Sequence, residues 1–172
     1  VYGDAEGNIY LHSGGIVPKR NPKLNWSQPI TGNSSAYKWT EFVGYENKAT
    51  VLNPDCGFVY NCNQTPLCGA GVECEWKGNF VGLQKFMYNR GERFKYLLEN
   101  HTGKFSWADF NRIKFDKAYH PDTNATYRSH FKNLYALDEK KYPDIADAIQ
   151  KLKHWNLSGE AHNKEAAVAM IT

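Results

Sequence analysis

Residues able to do chemistry are common in this chain, but few stand at a telling spacing. Cys56, Cys62, Cys68 and Cys74 recur every six residues. Zinc sites favour closer cysteine pairs, so the spacing argues against a metal knuckle. Cys68 and Cys74 flank the flexible Gly69-Ala70-Gly71 turn and could close a short disulfide loop, which would imply an oxidising compartment. Reduced, buried cysteines account for the same residues equally well. The histidines, His12, His101, His120, His130, His154 and His162, form no H-E-x-x-H or other short metal pair. There is no G-x-S-x-G elbow, no P-loop and no G-x-G-x-x-G after a strand. Asp, His and Ser all occur, yet nothing in their order selects a triad. Glu73 and Glu75 read as solvated loop carboxylates. What remains is a crowd of side-chain amides, Asn61, Asn63 and Gln64, just ahead of Pro66. Amides beside a proline are ordinarily turn chemistry, because Asn bonds its own backbone.

The elements that would position these residues follow from periodicity. Val1-Tyr2 and Ile9-Tyr10-Leu11 flank a Gly- and Asn-containing turn, which predicts a β-hairpin over residues 1–12. Residues 18–37 are loop-rich, and Trp26 inside them reads as an anchor to the core. The mixed segment from Trp39 to Val51 has room for one edge strand. Asn53-Pro54, Asp55 and Gly57 then make a turn. Phe58-Val59-Tyr60 is a strand-forming run that ends at the amides. After the Gly- and Cys-rich loop 67–78 the period becomes helical. Phe80, Leu83, Phe86, Met87, Phe94, Leu97 and Leu98 predict a helix over part or all of 80–99, with Gly91 as an interruption. Ser106-Trp107-Ala108-Asp109 is a capping box opening a second helix to about Phe115. Further helices are predicted over about 124–137, about 143–155 with Pro143 in the first turn, and from near Asn163 onward. Strands first and helices after make an α+β chain, strands in about 1–65 and helices in about 80–172.

The 172 residues fit one domain, large enough to bury a core. Hydrophobic content of 41% with 23% charged residues argues against disorder. A net charge of +3, with the basic residues dispersed, argues against nucleic acid as a partner. No apolar run approaches a transmembrane helix. The opening Val1-Tyr2-Gly3-Asp4 lacks Met, and Ala166 to Thr172 is helix-forming with no stop signal. Both read as the ends of a piece of a larger protein, so a missing leader carries no information on compartment.

Several blocks stand in a recognisable order: Tyr2-Gly3-Asp4-Ala5-Glu6-Gly7-Asn8-Ile9 with Gly15; Val17-Pro18-Lys19-Arg20; Asn25-Trp26-Ser27-Gln28-Pro29-Ile30-Thr31-Gly32 with Trp39; Asn53-Pro54; Gly57-Phe58-Val59-Tyr60-Asn61-Cys62-Asn63-Gln64-Thr65-Pro66; and Asn89-Arg90-Gly91-Glu92-Arg93 before Leu97-Leu98. Together they resemble the β chain of the penicillin acylases, a branch of the N-terminal nucleophile hydrolases. The amide block leans toward the members that include aculeacin A acylase and the acyl-homoserine lactone acylases. The resemblance covers about residues 1–115, and the helical remainder is compatible with it.

The resemblance implies a partial N-terminal nucleophile hydrolase fold, with 1–78 in the region of the catalytic sheet and 79–172 helical. It implies hydrolysis of an N-acyl amide through an acyl-enzyme, the nucleophile being the first residue of the β chain and its own α-amino group the base. Val1 has no nucleophilic side chain, so this chain alone is expected to be inactive. By resemblance, Asn63 is the oxyanion-hole donor and Arg90 the arginine near the nucleophile, with Arg93 the fallback for Arg90. No cofactor is required for the chemistry. A structural calcium occurs in some members, but no metal ligand is assignable here. Expected partners are the remainder of the acylase (its α chain and the upstream part of its β chain) and a small N-acyl substrate, with no nucleic acid and no membrane. The expected location is periplasmic or secreted. Two other readings stand beside this one. The many Trp and Tyr residues could serve a non-catalytic carbohydrate- or peptide-binding module, and the cysteines a disulfide-pinned structural domain.

Overall fold

A computed structural model of the chain describes residues 1–78, 85–122 and 132–171. It falls into two compact units, Val1–Phe86 and Met87–Thr172. Mixed α+β character holds: a three-stranded sheet lies in the first unit and the five α-helices among the described residues lie in the second.

The first unit is built on the predicted hairpin. Strand β1 (Tyr2–Gly3) pairs antiparallel with β2 (Ile9–His12), Tyr2 opposite Tyr10. Asp4 shapes the turn, its carboxylate accepting from the backbone N–H groups of Glu6 and Asn8 at 3.0 and 2.8 Å. The third strand, β3 (Thr50–Leu52), pairs with β2 so that Leu11 faces Val51 and His12 faces Thr50. Asn53 extends this ladder past the strand end. Its backbone N–H donates to the Ile9 carbonyl at 2.9 Å, and its side-chain oxygen accepts from the Ile9 N–H at 2.8 Å.

Phe58-Val59-Tyr60 does not form a strand. The segment has no regular secondary structure, and the Tyr60 N–H donates to the Gly69 carbonyl at 2.9 Å. The loop beyond Pro66 folds back and occupies the place of a neighbouring strand. Gly69 permits this approach, since a Cβ there would stand 2.6 Å from a Leu11 methyl. The core of this unit is Leu11, Val51 and Ala70, with Cys56, Val59, Cys74 and Trp76 packed around it. Trp26 anchors its own loop instead of the core. Its indole N–H donates to the Asn21 carbonyl at 2.9 Å, and its ring meets Tyr37 edge-on.

In the second unit, α1 spans Asn89–Glu99, with Gly91 buried inside it. It is the C-terminal part of the helix predicted over 80–99; residues 79–84 lie outside the described residues, and 85–88 are not helical. Helix α2 (Trp107–Lys114) starts at the predicted capping box, Ser106 and Asp109 bonding each other's backbone N–H. Helix α3 (Lys132–Tyr135) is the end of the helix expected over 124–137, of which 124–131 lie outside the described residues. Pro143–Ile145 forms a 3-10 turn leading into α4 (Ala146–His154), and α5 is Lys164–Ile171. Leu152, Trp155, Ala166 and Ala169 make the core, with Tyr119, Leu134, Tyr135 and Leu157 against it.

Candidate functional site

The amide-bearing turn is held by its buried members. Gln64 and Thr65 are buried, whereas Asn61 and Asn63 are exposed. Gln64 bridges three backbone groups. Its side-chain oxygen accepts from the Cys62 N–H at 2.5 Å, and its NH2 donates to the carbonyls of Tyr60 at 3.3 Å and Cys68 at 3.2 Å. Thr65 caps the following 3-10 turn, Pro66–Cys68, and its own N–H reaches the Phe86 carbonyl at 3.3 Å. The turn is therefore tied at both ends, and its exposed crest carries Asn63.

Asn63 sits at φ 65°, in the left-handed region that Asn tolerates better than most residues. Its backbone N–H donates to the Asn61 side-chain oxygen at 2.7 Å. The turn chemistry expected of these amides is real for Asn61 and Gln64, whose side chains bond backbone.

A cavity of about 220 Å³ is lined among others by Val1, Leu11, His12, Tyr60, Asn61 and Gln64. Nothing in the sequence singles out His12, since it belongs to no metal pair and no ordered triad. It sits in β2, directly after Leu11. Its Nδ1 lies 3.1 Å from the Thr50 hydroxyl, and its ring stacks on Tyr45 at 4.4 Å.

Arg90 belongs to the second unit, exposed in the first turn of α1. Arg93, its fallback, is committed elsewhere. Arg93 Nε and Nη2 donate to the two carboxylate oxygens of Asp116 at 2.8 and 2.9 Å, and its guanidinium lies over the Tyr96 ring. That fork holds the Asp116 carboxyl below the usual carboxylate range. Arg93 is thus a brace of its own unit, leaving Arg90 as the exposed arginine of the pair.

The structure bears on the open cysteine reading and corrects the reading of Glu75. Cys74 has Cys56 as its sulfur neighbour, not Cys68: the Cys56 N–H donates to Cys74 Sγ at 3.2 Å. None of the four cysteines is joined in a disulfide, and Cys68 is buried. Glu75 is not solvated; its side chain is 10% exposed and pairs with Lys85 at 2.7 Å. Among the described residues there is no group of three or more His, Cys, Asp or Glu placed to hold a metal ion. No described helix is long and apolar enough to cross a membrane.

The chain is mixed α+β, with its sheet in one unit and its described α-helices in the other. The penicillin amidase family model matches residues 1–172, and the chain belongs to that family. The family is one of amide-hydrolysing acylases that work through an N-terminal nucleophile.

Proposed function

We propose that the chain contributes the oxyanion donor of an acylase that cleaves N-acyl amides through an acyl-enzyme. Asn63 is that donor, and Arg90 orients the α-amino group of the nucleophilic residue. The carrying observation is Asn63 itself: exposed, at a left-handed φ, on a turn pinned by Gln64. A fixed amide NH2 donates without titrating, and a donor held in place before the reaction stabilises the charge that develops on the carbonyl oxygen. In this reading the nucleophile is supplied by another segment of the acylase. The chain alone is then inactive and works with the remaining acylase segments, in a periplasmic or secreted enzyme. Its substrates belong to the lipopeptide, acyl-homoserine lactone or β-lactam side-chain class, with the first two favoured by the Asn-Cys-Asn-Gln-Thr-Pro block.

Asn63→Gly separates turn from catalysis. Glycine accepts the positive φ and keeps the backbone N–H that bonds Asn61, so as a mere turn residue it is neutral or mildly stabilising. As the oxyanion donor its loss lowers kcat by about 10²–10³-fold. The measurement is turnover of a chromogenic N-acyl substrate by the full-length protein, with chain processing followed on gels. Turnover within a few-fold of the parent, in a normally processed variant, removes Asn63 from the mechanism.

A further inference from the structure

We infer that Cys56 and Cys74 are a disulfide site that clasps the base of the Asn63 loop. The two residues are 18 positions apart, yet each sulfur accepts a hydrogen bond from a backbone N–H. Cys56 N–H donates to Cys74 Sγ at 3.2 Å, and Gly71 N–H donates to Cys56 Sγ at 3.3 Å. The Gly71 carbonyl in turn accepts the Cys74 N–H at 2.8 Å, so one peptide segment positions both cysteines. The tight turn at Pro54–Gly57 presents Cys56 from the other side, with Gly57 at φ 74° closing the bond to Pro54. Both cysteines are half-buried against the core of Leu11, Val51 and Ala70. Chance proximity on a mobile surface would not give each sulfur its own backbone donor.

The hydrogen bond between the two thiols, the largest influence on Cys74, raises its thiol above the ordinary range. Closure is therefore expected to quicken as pH rises, since the thiolate is the attacking form. A glutathione disulfide is a sufficient oxidant. One cysteine thiolate attacks it, forms a mixed disulfide and releases one glutathione thiolate. The second cysteine thiolate then attacks the protein sulfur of that mixed disulfide and releases the other. Two S–H protons go to solvent, two electrons go to glutathione, and one S–S bond forms. The closed loop contains Asn61, Asn63, Gln64 and Cys68. The assignment of the bond is independent of the acylase reading; only its consequence, a stiffer oxyanion donor, rests on that reading.

The test equilibrates the full chain with excess oxidised glutathione, quenches it in acid, alkylates it after denaturation and maps its peptides without reduction. The expected result is one bridge joining the Cys56 and Cys74 peptides, a mass lower by two hydrogens, and a higher urea midpoint than the reduced chain. Cys62 and Cys68 should carry the alkyl label. A Cys62→Ser/Cys68→Ser variant should lose the same two hydrogens, and a Cys56→Ser/Cys74→Ser variant should lose none. A bridge between Cys68 and Cys74, scrambled pairs, or glutathione persisting on both Cys56 and Cys74 overturns the inference. None of these readouts depends on enzymatic turnover, so loss of activity in an Asn63 variant would not be confused with them.

Discussion

Gln64 commits its whole side chain to backbone partners, which makes it the residue on which the amide turn depends. Gln64→Leu keeps the volume roughly but removes three hydrogen bonds, one to an N–H and two to carbonyls, at a buried side chain. Each such loss costs about 1–3 kcal/mol, and partial relaxation toward water leaves an expected loss of about 2–4 kcal/mol in urea unfolding. Gln64→Glu keeps the acceptor for Cys62 and loses both donors at neutral pH, so it too should destabilise, less so in acid where the carboxyl can donate once. An unchanged urea midpoint for Gln64→Leu would show that the turn is braced by something else. Sequence carried this part of the site only halfway. Asn61 and Asn63 were legible as turn amides because their bonds are local. The partners of Gln64 were not, because the Cys68 carbonyl arrives through a fold-back that depends on Gly69 lying against Leu11.

At the scale of elements, legibility tracked how local the cause was. The hairpin turn around Asp4 and the cap at Ser106 both rest on side chains bonding backbone within four residues, and both were readable. β3 was harder to place. Thr50–Leu52 gains its strand by pairing with β2, and nothing local ranks it above Phe58–Tyr60, which has the better strand composition. The brace between α1 and the segment after α2 is likewise non-local. Arg93 and Asp116 are only 19% and 20% exposed, and the Asp116 carboxylate also accepts the Ala118 N–H at 3.1 Å. Arg93→Lys retains the charge but not the two-pronged geometry. We expect it to lose about 1.5–3 kcal/mol, the range for hydrogen bonds to charged groups, with little difference from Arg93→Gln. If Arg93→Lys unfolds at the parent's urea concentration, charge alone holds the pair and the fork is incidental.

For the whole molecule, the shifted carboxylates predict how the fold fails in acid. Asp4 is lowered chiefly by the Asn8 amide, Asp109 by the Ser106 hydroxyl, Asp116 by Arg93, Glu139 by Lys153 and Glu160 by Lys117. Each folded carboxyl thus binds its proton at lower pH than the same group in the unfolded chain, where Asp and Glu titrate near about 3.9 and 4.3. Their stabilisation is fully present above those values and is lost as pH falls through the folded ones. The urea midpoint should therefore be insensitive to these groups above about pH 5 and decline below about pH 4. Salt divides them by cause. The Lys117–Glu160 and Lys153–Glu139 pairs are more exposed than Arg93–Asp116 and weaken in about 1 M salt, where the screening length is near 3 Å. Asp4 and Asp109 depend on uncharged donors first, and Asp116 on a shielded fork, so most of the acid slope should survive. Asp116→Asn should make that slope shallower and lower the midpoint at neutral pH. Urea titrations between about pH 7 and about pH 2, with and without salt, separate these outcomes. An acid slope abolished by salt would assign the effect to surface charge, and an unaltered slope in Asp116→Asn would remove the Arg93 brace from it.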